Sequence, residues 1–264
     1  MSDPLVPAAG AVLSADIAVP EHEREVRFYS GVLSTGENPL WREDLMNNLG
    51  MPIIGLGARS PEYAQLPLQW MPHIHVVDVA ASAERGLDLG GSELMHGKDD
   101  AGKSQWAVLL DPDGAAFGII PVVSTAAVPS TGGASRDAGA RVGRISGLDL
   151  AVSDASAARE FYRQVVGWSA QDVEMEDASG RYVDYSLFAG DGAPAARVCH
   201  SRGANLGLPP TWMISLPVGD LPESLRRARE GGGKIIKATR GADGEFAYAV
   251  VQDPVGACVA LVPG

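Results

Sequence analysis

The chain has 264 residues, 45% of them hydrophobic and 20% charged, and carries a formal net charge of −12 at pH 7. This composition supports packed cores and argues against disorder. The acidic balance repels phosphate backbones and anionic lipid, which argues against a nucleic-acid or membrane-surface role. No run approaches the roughly 20 apolar residues a spanning helix needs. The first ten residues lack the basic-then-apolar pattern of a leader, so a cytoplasmic protein is expected. Cys199 and Cys258 sit in strand-like apolar runs and form no motif, which suits reduced core residues.

In chain order, Val12–Val19 alternates as a strand should, and residues 20–33 place Val26, Tyr29, Val32 and Leu33 at helical spacing. Residues 36–65 are less regular and hold one convincing strand, near Pro52–Gly57; Trp41 and Met46 in this stretch are candidates to line a pocket. Leu66–Val79 then reads as a strand bearing Trp70, Met71, His73 and His75. A helix follows and stops at Gly90-Gly91, and the turn Asp111–Gly114 joins two more strands. Residues 121–143 are rich in Gly, Ser, Ala and Pro and read as a linker. After it the plan recurs. A strand at Ile145–Val152 leads into a helix at 153–166. Three strands follow near Ala170–Met175, Arg181–Phe188 and Ala195–His200. Another strand lies within Leu208–Leu221, then a helix with Pro222 in its first turn, ending at Gly231–Gly233, and the turn Asp253–Gly256.

The recurrence is an internal repeat. At an offset of 142, Trp70 falls on Trp212, Met71 on Met213, Asp78 on Asp220, Gly90-Gly91 on Gly232-Gly233, and Asp111–Gly114 on Asp253–Gly256. At 133, Asp16 falls on Asp149 and Phe28-Tyr29 on Phe161-Tyr162. Two domains follow, 11–122 and 144–264, joined by 123–143. Each domain is a β-α-β-β-β unit read twice, since an offset of 57 carries Asp16 onto His73 and one of 66 carries Asp154 onto Asp220.

Three features make the chain similar to the vicinal oxygen chelate superfamily of glyoxalase I, bleomycin-resistance proteins and extradiol dioxygenases, in its tandem two-domain branch. They are the strand–acid–helix opening with its Phe-Tyr pair, the Trp strand whose Asp enters a helix trailed by Gly-Gly, and the Asp-Pro-x-Gly hairpin. The resemblance covers Val12–Val122 and Ile145–Val262. It implies an α+β fold of two tandem domains, each a pair of βαβββ units forming a curved mixed sheet with a cup. It also implies metal ligands in the first and last strand of each unit. The ligand places that can be aligned hold Ser14, Met71 and Gly118 in the first domain and Gly147, Met213 and Ala260 in the second. A hard or borderline divalent ion needs carboxylate, imidazole or thiolate donors. Neither a metal nor another cofactor is therefore expected. The remaining place in each domain lies near Gly57 or His200. The expected partner is a small organic ligand, and the chain is expected as a monomer pairing its own domains or as a homodimer.

Residues two apart on a strand share a face. If position 14 faces the cup, so does Asp16, and by the same parity Met71, His73 and His75 do too. Asp16 and His73, equivalent under the internal repeat, are the candidate catalytic pair, because a carboxylate beside an imidazole fixes its tautomer and stabilises its cation. The competing reading has Asp16 bonded to backbone or an arginine and His73 as a wall residue. The expected ligand wall comprises Ser14, Trp41, Met71, His75 and Trp106, with Trp70 a further aromatic candidate. Asp149, Met213 and Ser215 stand in the equivalent places of the second domain, where Ser215 replaces His73 and Pro217 replaces His75. The second domain could use His200, at a strand end, or Tyr185, though the favoured reading makes both structural or exposed, and His22 and His96 are surface residues. No nucleophile elbow, zincin motif or phosphate-binding glycine loop is present. These features suit a metal-independent enzyme doing acid/base chemistry such as isomerisation, cyclisation, elimination or epoxide opening. The alternatives are a binding protein that sequesters a drug or metabolite and, third, a metal-dependent lyase or dioxygenase.

Overall fold

The computed structural model describes residues 8–35, 41–42, 45–48, 51–122 and 145–264, with side chains for 8–35, 54–122 and 145–264. The linker reading at 123–143, and the side chains of Trp41 and Met46, lie outside them. The first domain runs β1 (Val12–Val19), α1 (His22–Leu33), β2 (Trp41–Arg42), β3 (Leu45–Asn48), β4 (Met51–Ala58), β5 (Met71–Val76), α2 (Val79–Asp88), β6 (Ser92–Lys98), β7 (Ser104–Leu110) and β8 (Ala116–Pro121). The second repeats the order as β9 (Gly147–Val152), α3 (Ala155–Val166), β10 (Ser169–Asp177), β11 (Gly180–Phe188), β12 (Pro194–His200), β13 (Met213–Val218), α4 (Leu221–Glu230), β14 (Lys234–Arg240), β15 (Phe246–Gln252) and β16 (Cys258–Pro263). Strands β1–β8 form one mixed eight-stranded sheet and β9–β16 another, which is the expected α+β architecture. The irregular interval of the first domain holds β2 and β3 besides the expected strand. Among the described residues no helix is long and apolar enough to cross a membrane.

Three helix starts show why the acid recurs. Asp78, Asp154 and Asp220 cap α2, α3 and α4, accepting hydrogen bonds from the backbone N–H of Ala81 at 3.0 Å, Ala157 at 2.9 Å and Glu223 at 2.9 Å. Each satisfies an amide that the helix leaves without an internal partner.

The chain forms two compact units, and each takes one βαβββ block from either repeat. One unit holds β5, α2 and β6–β8 with β9, α3 and β10–β12; the other holds β1, α1 and β2–β4 with β13, α4 and β14–β16. In the first, α2 packs on α3, and Arg85 Nε donates to the Gln164 carbonyl at 2.8 Å. Here the repeated motifs converge. Trp212 Nε1–H donates to the Tyr162 hydroxyl at 2.8 Å, and that hydroxyl donates to Asp111 Oδ2 at 2.9 Å. Asp111 Oδ1 meanwhile accepts from the amides of Asp113 at 3.0 Å and Ala115 at 2.8 Å, so its carboxylate builds its own turn and anchors the other repeat. Burial pushes Asp111 up to about 6 against these hydrogen bonds. Gly90 takes φ 90° to end α2. Gly91 has a different need: a Cβ there would sit 2.6 Å from the Leu110 carbonyl oxygen and 3.3 Å from Phe161.

The second unit repeats the arrangement with the repeats exchanged. α1 packs on α4, Trp70 Nε1–H donates to the Tyr29 hydroxyl at 3.0 Å, and Tyr29 donates to Asp253 Oδ2 at 2.8 Å. Phe28 covers Gly233, where a Cβ would meet its ring at 2.8 Å. Trp70, a candidate for the ligand wall by sequence, is therefore a core residue, 1% exposed and tied to Tyr29. The second unit also buries an acid at a place where the first has an alanine. Glu25 is buried at 0% exposure, neither carboxylate oxygen has a hydrogen-bond partner among the described residues, and burial with the nearby Asp253 carboxylate raises it to about 8. Its counterpart in the other unit is Ala158.

Candidate functional site

The site is built on β5, β8, β7 and β6. Parallel β5 and β8 pair His73 with Gly118 and His75 with Ile120. Antiparallel β7 pairs Val108 with Gly118, and β6 pairs Met95 with Val108 and Gly97 with Trp106. Paired residues point to the same side of a sheet. Met71, His73 and His75 thus share one face with Gly118, Ile120, Val108, Met95 and Trp106, while Ile74, Ala107, Leu109 and Ile119 fill the helix side at 0–1% exposure.

His73 is half-buried, and its ring lies across the strand over Gly118, where a Cβ would come within 2.9 Å of Cδ2. The missing side chain makes room for the imidazole. His75 is 5% exposed, with Nδ1 3.3 Å from the Pro121 carbonyl oxygen. A carbonyl only accepts, so Nδ1 carries the proton and Nε2 is the basic nitrogen. Burial, with the neighbouring His73 adding to it, lowers the pKa of His75 and keeps it neutral. Trp106 is 38% exposed and its ring covers Gly97. Met71, at 3% exposure, lies deep in the same face.

Ser14 and Asp16 belong to the other compact unit. Asp16 is half-buried on β1 with Gly55 as its partner on β4. In that unit Met213 and Ser215 are buried on β13, and Ser215 pairs with Ala260. Asp149, on β9, meets an arginine: Arg197 Nε donates to its Oδ1 at 2.5 Å from the adjacent strand β12. Sequence reasoning missed the carboxylate–imidazole pair of Asp184 and His200. Asp184, 4% exposed, accepts at Oδ1 from the His200 backbone N–H at 2.8 Å and from its Nδ1 at 3.1 Å. Asp184 and His200 lie 16 residues apart and meet only through the β11–β12 pairing, which no local spacing reports.

These registers locate the ligand place left open in each domain. Gly118 and Ala260 pair with His73 and Ser215; the equivalent partners of Asp16 and Asp149 are Gly55 and Arg197. The eight places are thus Ser14, Gly55, Met71, Gly118, Gly147, Arg197, Met213 and Ala260, one of them cationic. Among the described residues no three His, Cys, Asp or Glu side chains gather as a metal set. The donor set does not fit a divalent ion of the hard or borderline kind.

A glyoxalase-like domain is recognised at residues 13–120 and again at 147–262. The chain belongs to the glyoxalase-like family. It stands with it in the vicinal oxygen chelate superfamily, as two tandem domains. This glyoxalase-like chain is 30% identical over 121 residues to a Mycobacterium tuberculosis protein named "Putative glyoxylase CFP32", covering 46% of each chain. It is 26% identical over 175 residues to the anthracycline biosynthesis protein DnrV of Streptomyces peucetius, covering 64% of this chain and 57% of that one. The matches thus span about half the length of these relatives. Among solved structures, 2,2',3-trihydroxybiphenyl 1,2-dioxygenase from Sphingomonas wittichii strain RW1 superimposes with a TM-score of 0.54 at 16% identity, over 97% of this chain and 90% of that one. An extradiol ring-cleaving dioxygenase from B. fuscum gives 0.55 at 13% identity, over 100% and 75%. At these identities the likeness is one of fold.

Proposed function

We propose that this glyoxalase-like protein takes up a small organic molecule on the β5–β8–β7–β6 face and moves a proton on it with His73, with no resident metal. The observation behind the reading is the half-buried His73 imidazole, laid over Gly118 in an otherwise apolar row. A ligand resting on Met95, Val108, Ile120 and Trp106 presents its polar edge to His73. From there the imidazole can take a proton next to a carbonyl, or from a hydroxyl, and return it at another atom. Isomerisation, cyclisation, elimination and epoxide opening all reduce to that step. His75, held neutral with Nδ1–H committed to Pro121, adds no charge that would repel an imidazolium.

The apolar lining favours a second reading, sequestration without chemistry. A relative named for anthracycline biosynthesis supports a flat, polycyclic aromatic ligand for either reading. An anthracycline is therefore the probe, with its fluorescence as the binding signal. Trp106→Ala should weaken binding by about tenfold, the upper range for one aromatic contact, while His73→Ala should leave affinity within about threefold. Affinity unchanged by Trp106→Ala would place the ligand elsewhere.

A further inference from the structure

On the first domain's β6–β7 hairpin three side chains stand in a relay that the proton-transfer reading does not use. Glu93 Oε2 lies 2.9 Å from His96 Nδ1, and His96 Nε2 lies 2.8 Å from Ser104 Oγ. A carboxylate only accepts, so Nδ1 carries the imidazole proton. Nε2 is then the acceptor, and the Ser104 hydroxyl donates to it. That is the polarity a nucleophilic serine needs: hydroxyl to base, base to orienting carboxylate.

The backbone explains how residues three apart on a strand reach one another. Regular alternation would put Glu93 and His96 on opposite faces. The β6–β7 register shifts between Glu93 and Met95 and again between Gly97 and Lys98, and these bulges re-aim the chain. The second domain keeps both shifts, at Ile235/Lys237 and Thr239/Arg240, yet holds Ile235, Ala238 and Phe246 at the equivalent places. The bulges belong to the fold, and the relay is particular to the first hairpin. Asp99 fixes the chain on both sides of the serine, accepting from the Lys103 backbone N–H at 2.9 Å and from Gln105 Nε2 at 2.9 Å. The relay is also reachable: the His96 and Glu93 side chains are 16% and 33% exposed, and Ser104 is half-buried.

We infer that Glu93, His96 and Ser104 form an acyl-transfer site for small esters. Ser104 Oγ forms a bond to the ester carbonyl carbon while His96 Nε2 takes its proton. The bond from that carbon to the alcohol oxygen breaks as His96 hands the proton to the departing alkoxide. Water then attacks the acyl-serine, losing its proton through His96, and the Ser104 hydroxyl is restored with release of the acid. Ser104 and His96 touch the reacting atoms; Glu93 is a positioning residue.

The test is labelling of the full-length protein by a fluorophosphonate, which phosphonylates an activated serine with loss of fluoride. Peptide mass spectrometry should find the adduct on Ser104, and Ser104→Ala should abolish it. His96→Ala should slow labelling by at least about 100-fold and Glu93→Gln by about tenfold. Ser104→Cys guards against a folding artefact. Burial raises the native Cys199 and Cys258 thiols to about 12 and about 11, so at pH 7 iodoacetamide should single out the new thiol, and only while His96 is present. Absence of a Ser104 adduct, or labelling at an unchanged rate in His96→Ala, would overturn the inference.

Discussion

Replacing Trp212 by Ala should destabilise the protein by about 4 kcal/mol, and replacing Trp106 by less than about 1 kcal/mol. Trp212 is 0% exposed, its ring is packed by Tyr162 at 5.0 Å and Trp168 at 5.9 Å between centroids, and its N–H donates to Tyr162. Its loss opens a large cavity and leaves Tyr162, the bridge to Asp111 of the other repeat, without its donor. Trp212→Phe should recover part of the loss, since it refills volume but not the hydrogen bond. Urea unfolding at pH 7 measures all three. Equal costs for Trp212→Ala and Trp106→Ala would contradict the assignment of one Trp to the core and the other to the ligand face.

Stability should also fall steeply as pH rises toward and through about 8, with Glu25 as the cause. The unfolded chain releases this proton near 4.5 and the folded chain near 8. A folded pKa raised in this way gives stability that is full below 4.5, declines above it, and is lost once pH passes 8. The total is on the order of 5 kcal/mol at about 1.4 kcal/mol per pH unit. Asp253, Arg24 and Glu21 are the groups whose charges act on it, and Asp253 is itself raised by burial. Glu25→Gln replaces the acid by a neutral isostere and should flatten this limb of the urea stability profile between pH 6 and 9. A mutant profile parallel to the wild type would assign the effect to other groups.

The fold was legible because the repeat carries its own motifs: Phe-Tyr, Trp, Gly-Gly and Asp-Pro-x-Gly recur in fixed order. Their purpose was not. Tyr162 and Asp111 lie 51 residues apart in different repeats, so alternation could place Trp70 and Trp212 on strands without showing that each anchors a tyrosine spanning two blocks. Strand parity places Met71, His73 and His75 on one face, and it says nothing of how His96 meets its partners. The β6 bulges that let His96 meet Glu93 and Ser104 are not legible in a single strand's sequence. The place near Gly57 or His200 resolved to Gly55 and Arg197 only with the parallel registers of β1–β4 and β9–β12. That depends on pairing, which a single strand's sequence does not encode.

The most direct test of proton transfer at His73 is hydrogen exchange on the bound probe. Wild type and His73→Ala, each saturated with an anthracycline in deuterated buffer, are compared by mass spectrometry of the recovered compound. Wild type should return it carrying solvent deuterium or rearranged, and His73→Ala should bind it yet return it at least about 100-fold more slowly changed. A probe that wild type binds and returns unexchanged, just as His73→Ala does, would contradict proton transfer at this face and leave sequestration as its function.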